Sequence, residues 1–415
     1  MPKRHSTPLS APPLMGANAS AAPSTLLSAE QAARRLGVSK ATLYAYVSRG
    51  RLTAVPDALD PRASRYSSFE ISVLERRRGS GRRQLQQTLA AVNEGLPILE
   101  TALSCAHAGR PVYRGQDAVD LARTATVEDV ARLLWQCGPS DPFDAPPPEL
   151  GEHWLRQTAE LRKLALQPRT LALLALALPR LQGAWWLEEP QALAHAAGAH
   201  LRAAMACFLA RAPQARPLHE QFAQAWRLGR RAHEPLRQAL VLAADHEMNM
   251  VAFIGRALAS VGSDMGSALL AAMCTLNANF VGGASVQVEQ LWDDLATARD
   301  LNGALAARLD QGQGLPGFNH IAYPAGDPRA ALLLRLCAQI APQPPIARAV
   351  KQLTGWDPAI DFAFVALRRA LGAPKGAALA LQLGGRCVGV IAHVLEQRRS
   401  GQRIMTRARY VGPLP

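Results

Sequence analysis

Histidines, acids and arginines collect at four polar breaks in an otherwise apolar chain: residues 245–249, 281–285, 316–329 and 357–361. In the first break Asp245, His246, Glu247, Met248 and Asn249 follow one another. Read as a single helix, the spacing puts His246, Asn249 and Phe253 on one face at i, i+3 and i+7. A polar face within an apolar helix needs a partner, either a core hydrogen bond or a bound ligand. In the last break Asp357-Pro358 reads as an N-cap and N1 pair, which places Asp361 in the first turn of a helix. By itself that position asks only for a carboxylate that the helix dipole stabilises. Such clusters at Pro/Gly punctuation mark a compact, enzyme-like body.

The elements that must hold these groups are helical. The chain has 415 residues, 49% hydrophobic and only 5% aromatic, so it buries a large core without disulfides or metal. Alanine and leucine dominate and β-branched runs are short, which predicts a mainly all-α protein. Cys105, Cys137, Cys207, Cys274, Cys337 and Cys387 show no CxxC pair and no spacing to histidine that suits a metal, so they read as reduced thiols. The longest apolar run, Leu171 to Leu178, is too short to span a bilayer, and the N-terminus lacks the apolar core of a secretory signal. A cytoplasmic location with no membrane partner is the expectation.

Along the chain, residues 1–26 are rich in Pro, Ser and Ala and read as a disordered tail. Residues 27–78 read as a small domain. Ser28 with Gln31 is a capping box, Ala29, Ala32, Ala33 and Leu36 keep helical spacing, and Gly37 stops the helix. Ser39 then caps a second helix, which carries Leu43 and Val47 and closes at Gly50. Leu52 to Tyr66 reads as a hairpin wing, and a last helix runs through Phe69, Val73 and Leu74. Arg- and Gly-rich residues 79–90 form a linker or the start of the next helix, and 91–415 are the body.

The segment from Leu27 to Tyr44 resembles the MerR and excisionase type of winged helix-turn-helix. In such a module the second helix enters the major groove, which here offers Lys40, Thr42 and Tyr46 to base edges. Arg49 and Arg51, with Arg62 and Arg65 of the wing, are placed for phosphate. Residues 1–90 carry 14 Lys/Arg against 5 Asp/Glu, an excess of nine within a chain total of +14, so a polyanion partner such as DNA suits the front. Arg far outnumbers Lys throughout, so a genome that favours arginine explains part of this.

The body resembles citrate synthase. Residues 240–249 are similar to that family's histidine-bearing helix, and 95–104 with 112–115 to its N-terminal segment. Leu315 to His320 with Gly326 to Arg329, Pro358 to Phe362, and Gly385 to Gln397 resemble three further motifs, in the family's order. The resemblance implies condensation of acetyl-CoA or another short acyl-CoA, as co-substrate, with oxaloacetate to give citrate or 2-methylcitrate and CoA, with no other cofactor. It assigns His246 to oxaloacetate binding and His320 to the substrate carbonyl. Arg329 and Arg386 are assigned to the carboxylates, for which guanidinium forks are suited. Asp361 becomes the base that takes a methyl proton. Arg407 is assigned to the neighbouring subunit's site in a homodimer.

One departure bears on turnover. Where the resemblance calls for a second catalytic histidine this chain has Val281, which neither donates a hydrogen bond nor transfers a proton. Loss of such a donor costs on the order of 10²–10⁴ in rate. Asn319 replaces a glycine and Ser285 an asparagine. Two functions follow: an acyl-CoA:oxaloacetate synthase of reduced activity, or a catalytically impaired, metabolite-sensing transcriptional regulator whose dimer presents paired modules to a palindromic site.

Overall fold

A computed structural model describes residues 26–48, 52, 54–57, 60, 63–67, 71, 99–181, 189–275, 283–405 and 412. The chain divides into two compact units, 1–81 and 82–415. Val281, Arg407, Arg49, Arg51 and Arg62 lie outside the described residues, as do Gly50, the linker and most of the helix expected at Phe69 to Leu74.

In the first unit α1 (Ala29–Leu36) starts at the Ser28–Gln31 capping box and ends at Gly37 in the left-handed conformation. α2 (Lys40–Ser48) starts where the Ser39 hydroxyl accepts the Thr42 N–H at 3.2 Å. β2 (Ala54–Pro56) and β3 (Ser64–Ser67) form the hairpin. The expected boundary of the tail is corrected at one residue, because Leu26 belongs to β1 (Leu26–Ser28), which pairs antiparallel with β3. Ala32, Ala33, Leu36, Leu43, Leu52, Tyr66 and Ile71 bury one small core.

The first elements of the second unit among the described residues are strands the sequence reading did not anticipate: β4 (Ser104–His107), β5 (Arg110–Tyr113) and β6 (Gln116–Asp117). Everything after them among the described residues is helix and connection. The short helices α3 (Ala118–Thr124) and α4 (Val127–Trp135) begin at Asp117 and Thr126, whose side chains cap the free N–H groups of their first turns. α5 (Gly151–Leu161), α6 (Leu166–Ala177), α7 (Pro190–Leu209), α8 (Leu218–Ala225) and α9 (His233–Leu242) follow, then α10 (Met250–Ser260) and α11 (Met265–Cys274). After them come α12 (Gly283–Ala296), α13 (Leu301–Asp310), α14 (Pro328–Ile340), α15 (Ile346–Thr354), α16 (Ile360–Ala370) and α17 (Ala377–Ser400).

α17 is the core element. It packs on α4, α7, α9, α10, α11 and α16 and is buried along most of its length. α7 and α17 are long and apolar enough to cross a membrane, but 67% and 100% of those windows are buried by the rest of the unit, as core helices are. Small residues bring α17 close to the chain after α9. A Cβ at Gly389 would strike the Ala244 carbonyl, and the Gly389 N–H donates to that oxygen at 2.9 Å. Gln382, Arg386, His393 and Gln397 recur at i, i+4, i+11 and i+15, one polar stripe along a buried helix. Gln382 meets Asp361, and Arg386 and His393 meet Asp245, while Gln397 at the far end bonds Arg256.

Candidate active site

The helix expected through residues 244–253 is not continuous. α9 stops at Leu242 and α10 starts at Met250, so His246, Asn249 and Phe253 do not share one helical face. Two groups break it. Asn249 turns its Oδ1 to the N–H groups of Val251 and Ala252, at 3.0 and 3.2 Å, as the N-cap of α10. The Tyr113 hydroxyl from β5 donates to the Asp245 carbonyl at 3.0 Å and accepts the Asp245 N–H at 3.2 Å, capturing backbone groups a helix would use. Glu247 takes left-handed backbone, φ 63°, to complete the turn.

Asp245 anchors this segment. Its carboxylate accepts the Ser104 hydroxyl and lies 3.3 Å from His393 Nε2 and 3.6 Å from Arg386 Nη1. Burial drives its pKa up, but His393, Arg386 and Ser104 outweigh burial and hold it below the ordinary carboxylate range. Arg386 is 3% exposed, and its two Nη atoms have no hydrogen-bond partner among the described residues. A buried guanidinium left with open donors is a ready seat for a carboxylate.

His246 stands next in the chain. Burial, then the charges of Arg329 and Arg386 and the His320 ring, hold its pKa well below that of ordinary histidine. The ring is therefore neutral, with Nε2 3.4 Å from the Leu242 carbonyl. It keeps some solvent exposure although atoms surround it.

His320 arrives from a loop tied to the start of α16. Asn319 N–H donates to the Asp357 carbonyl at 2.9 Å, Ala359 N–H to the Gly317 carbonyl at 2.7 Å, and Phe318 bridges Pro358. Gly317 has φ 81°, and a Cβ there would come within 2.6 Å of Val288. Asn319 has φ 62°, a conformation open to glycine and tolerated by asparagine, which gives a physical reason why asparagine serves where a glycine was expected. The Ala322 N–H donates to His320 Nδ1 at 3.2 Å, so the neutral ring carries its proton on Nε2. Burial, then Arg329, pushes the His320 pKa down to about 4.

Arg329 is 1% exposed and is clamped by Asp327, Nε to Oδ1 at 3.0 Å and Nη2 to Oδ2 at 2.9 Å. Two of its five N–H donors are thus committed inside the protein, which leaves both on Nη1 and one on Nη2. Asp361 lies in the first turn of α16 as expected, but the N-cap is Ala359, not Asp357. Asp357 instead pairs with Lys351 at 2.5 Å. Asp361 Oδ1 accepts from Gln382 Nε2 at 2.9 Å, and Gln382 Oε1 accepts from Ser285 Oγ at 2.9 Å. Burial raises the Asp361 pKa and Asp327 adds to the rise, against Gln382 and Arg329.

The fold therefore brings His246, His320, Arg329, Arg386 and Asp361 into one electrostatic neighbourhood. A profile of the citrate synthase family, described as "Citrate synthase, C-terminal domain", matches residues 92–409. The chain belongs to the citrate synthase family. A relative from Mycobacterium tuberculosis is 33% identical over 187 residues, 42% of this chain and 50% of its own. The chain thus spans about half the length of the first curated relatives it matches. The citrate synthase of Haloferax volcanii is 28% identical over 358 residues, 77% of this chain and 94% of its own. Among solved structures, a citrate synthase of Thermoplasma acidophilum in ternary complex with carboxymethyl coenzyme A and oxaloacetate has a TM-score of 0.60. At 20% identity, over 77% of this chain and 95% of that one, it supports the mainly helical citrate synthase fold.

Sequence reading missed Ser104 and Gln382, and it named Asp245 only as part of a polar break and Ser285 only as a replacement for an asparagine, without their roles in anchoring the histidine segment and holding Asp361. A polar residue repeating on the buried face of α17 is the signal that points to Gln382. It missed as well that His219, Glu220 and His233 bring ligand atoms within 4.8 Å of one another, away from this site. Glu220 there already pairs with Arg216 at 3.5 Å.

In the front unit the residues read as DNA contacts are partly committed. Arg65 pairs with Asp57 at 2.6 Å, the Thr42 and Ser39 hydroxyls lie 2.9 Å apart, and Tyr46 packs against the small core. Lys40 stays largely exposed, 3.9 Å from Glu30.

Proposed function

We propose that this chain condenses an acyl-CoA, acetyl-CoA first, with oxaloacetate to give citrate and free CoA. The observation that carries the proposal is a neutral His320 whose Nε2–H is fixed by its backbone, on a loop hydrogen-bonded to the segment that leads into Asp361. Oxaloacetate seats its carboxylates on the open donors of Arg386 and on Arg329 Nη1, beside His246. The His320 Nε2–H donates to its carbonyl oxygen and makes the carbonyl carbon electrophilic. Asp361 removes a proton from the acyl methyl group, and the resulting enolate attacks that carbon; hydrolysis of the thioester completes the reaction. Val281 offers no donor to the thioester oxygen, so the proposal includes slow turnover. Assembly as a homodimer, with Arg407 reaching the neighbouring site, belongs to the same reading. The test is release of CoA thiol from acetyl-CoA by purified protein: release that depends on oxaloacetate supports it, and no release at high enzyme concentration overturns it.

A second reading, a DNA-binding regulator that senses a metabolite through the same body, is favoured by the separate, basic front unit with its helix pair and hairpin. Lys40 and the arginines at 49, 51 and 62 are its proposed contacts, with Arg65 contributing only on leaving Asp57. Fluorescence anisotropy with duplex DNA, with and without oxaloacetate, tests it; anisotropy that stays flat as protein is added at low salt overturns it.

A further inference from the structure

We propose that Gln382 and Ser285 are positioning residues that fix which oxygen of Asp361 is basic, leaving Oδ2 as the atom that takes the substrate proton. This rests on the reading of Asp361 as the base of an acyl-CoA condensation.

The chain of donors has one consistent direction. A glutamine carbonyl oxygen only accepts, so the Ser285 hydroxyl, 2.9 Å from Gln382 Oε1, donates to it. That orients the amide and turns its Nε2–H₂ toward Asp361, where Oδ1 accepts at 2.9 Å. Oδ1 must therefore be an acceptor, and a proton on Asp361 goes to Oδ2. Ser285 and Gln382 are 1% and 6% exposed, so water does not compete for these bonds. An isolated glutamine in an apolar helix costs stability unless both ends of its amide are bonded, and here both are.

The relay joins three elements. Ser285 stands in the first turn of α12, Asp361 in that of α16, and Gln382 near the start of α17. The other groups facing Asp361 are Arg329 and Asp327 at the start of α14. Glu289, the acid of α12 on this side, is neutralised by Arg368 and Arg369 at 2.5 and 2.8 Å. On α17, Arg386 is directed to Asp245. Gln382 is thus the one side chain among the described residues that hydrogen-bonds the Asp361 carboxylate, beside that residue's own backbone N–H. In the reaction the acyl C–H pair becomes the enolate C=C bond, charge moves to the thioester oxygen, and the proton ends on Oδ2.

The experiment compares the parent protein with Gln382→Leu, Ser285→Ala and Asp361→Asn. Two readouts are taken: the pH profile of CoA release, and the carboxyl titration of Asp361 followed by ¹³C NMR with labelled aspartate, assigned by its loss in Asp361→Asn. Gln382→Leu is expected to move the acidic limb and the NMR midpoint to higher pH and to lower kcat about ten- to a hundredfold at little change in KM. Ser285→Ala moves both in the same direction by less. An unmoved midpoint in Gln382→Leu, folded by circular dichroism, overturns the relay. If the parent releases no CoA the synthase reading fails, and the NMR titration still decides the relay.

Discussion

Asp327 holds Arg329 through both carboxylate oxygens and also accepts the Ile360 N–H at 3.0 Å, so one buried acid fixes the arginine and the start of the helix that carries Asp361. Both side chains are essentially excluded from solvent. Removing one member of such a pair leaves the other charge buried and unpaired, at a cost of roughly 3–5 kcal/mol. Asp327→Asn is expected to lower the unfolding free energy by about that amount. Urea denaturation measures it, and a loss under about 1 kcal/mol would contradict the arrangement.

Arg386 separates binding from stability. Its Nη atoms make no hydrogen bond among the described residues, and although Nη1 lies 3.6 Å from Asp245, that carboxylate keeps Ser104 and His393 without it. Arg386→Leu should weaken oxaloacetate binding at least about a hundredfold, as loss of a charge-assisted pair does, with little change in thermal midpoint. Isothermal titration calorimetry and a thermal melt on one preparation check both halves.

The pKa of His320, about 4 when folded against 6.5 for an ordinary histidine, makes stability depend on pH. Between these values the unfolded chain binds a proton that the native ring refuses, so stability is full above about 6.5 and falls as pH drops toward 4. The loss from this ring is on the order of 2–3 kcal/mol, reduced by its partial exposure. His320→Gln should flatten the slope of unfolding free energy over that window. An unchanged slope would mean that the ring titrates normally.

Val281→His restores a donor and acid of the kind the resemblance calls for. It is expected to raise kcat by about tenfold or more, since one such donor is worth on the order of 10²–10³. Stopped-flow thiol detection reads the change; no gain would mean that another group already serves the thioester oxygen.

Much of this was legible where local chemistry decides structure. The Ser28 box, Gly37 and the helical body follow from capping, left-handed glycine and an alanine–leucine composition, and the helix at Asp361 is found although its N-cap is Ala359 rather than Asp357. The sequence reading failed where distant groups override propensity. Residues 244–249 carry helical spacing, yet Tyr113, far earlier in the chain, captures the backbone of Asp245, and Asn249 caps the next helix instead. The strands at 104–117 were missed because they are short, four, four and two residues, too few for a period of two to show in the sequence. Gln382 was missed because its partners, Ser285 and Asp361, meet it only after three helices have packed.

The most direct measurement is mass-spectrometric detection of citrate from acetyl-CoA and oxaloacetate, with the parent protein beside Asp361→Ala. Citrate from the parent that disappears with Asp361→Ala is the predicted result. Absence of citrate from the parent, or equal amounts from both, would contradict the assignment of this body as a condensing enzyme with Asp361 as its base.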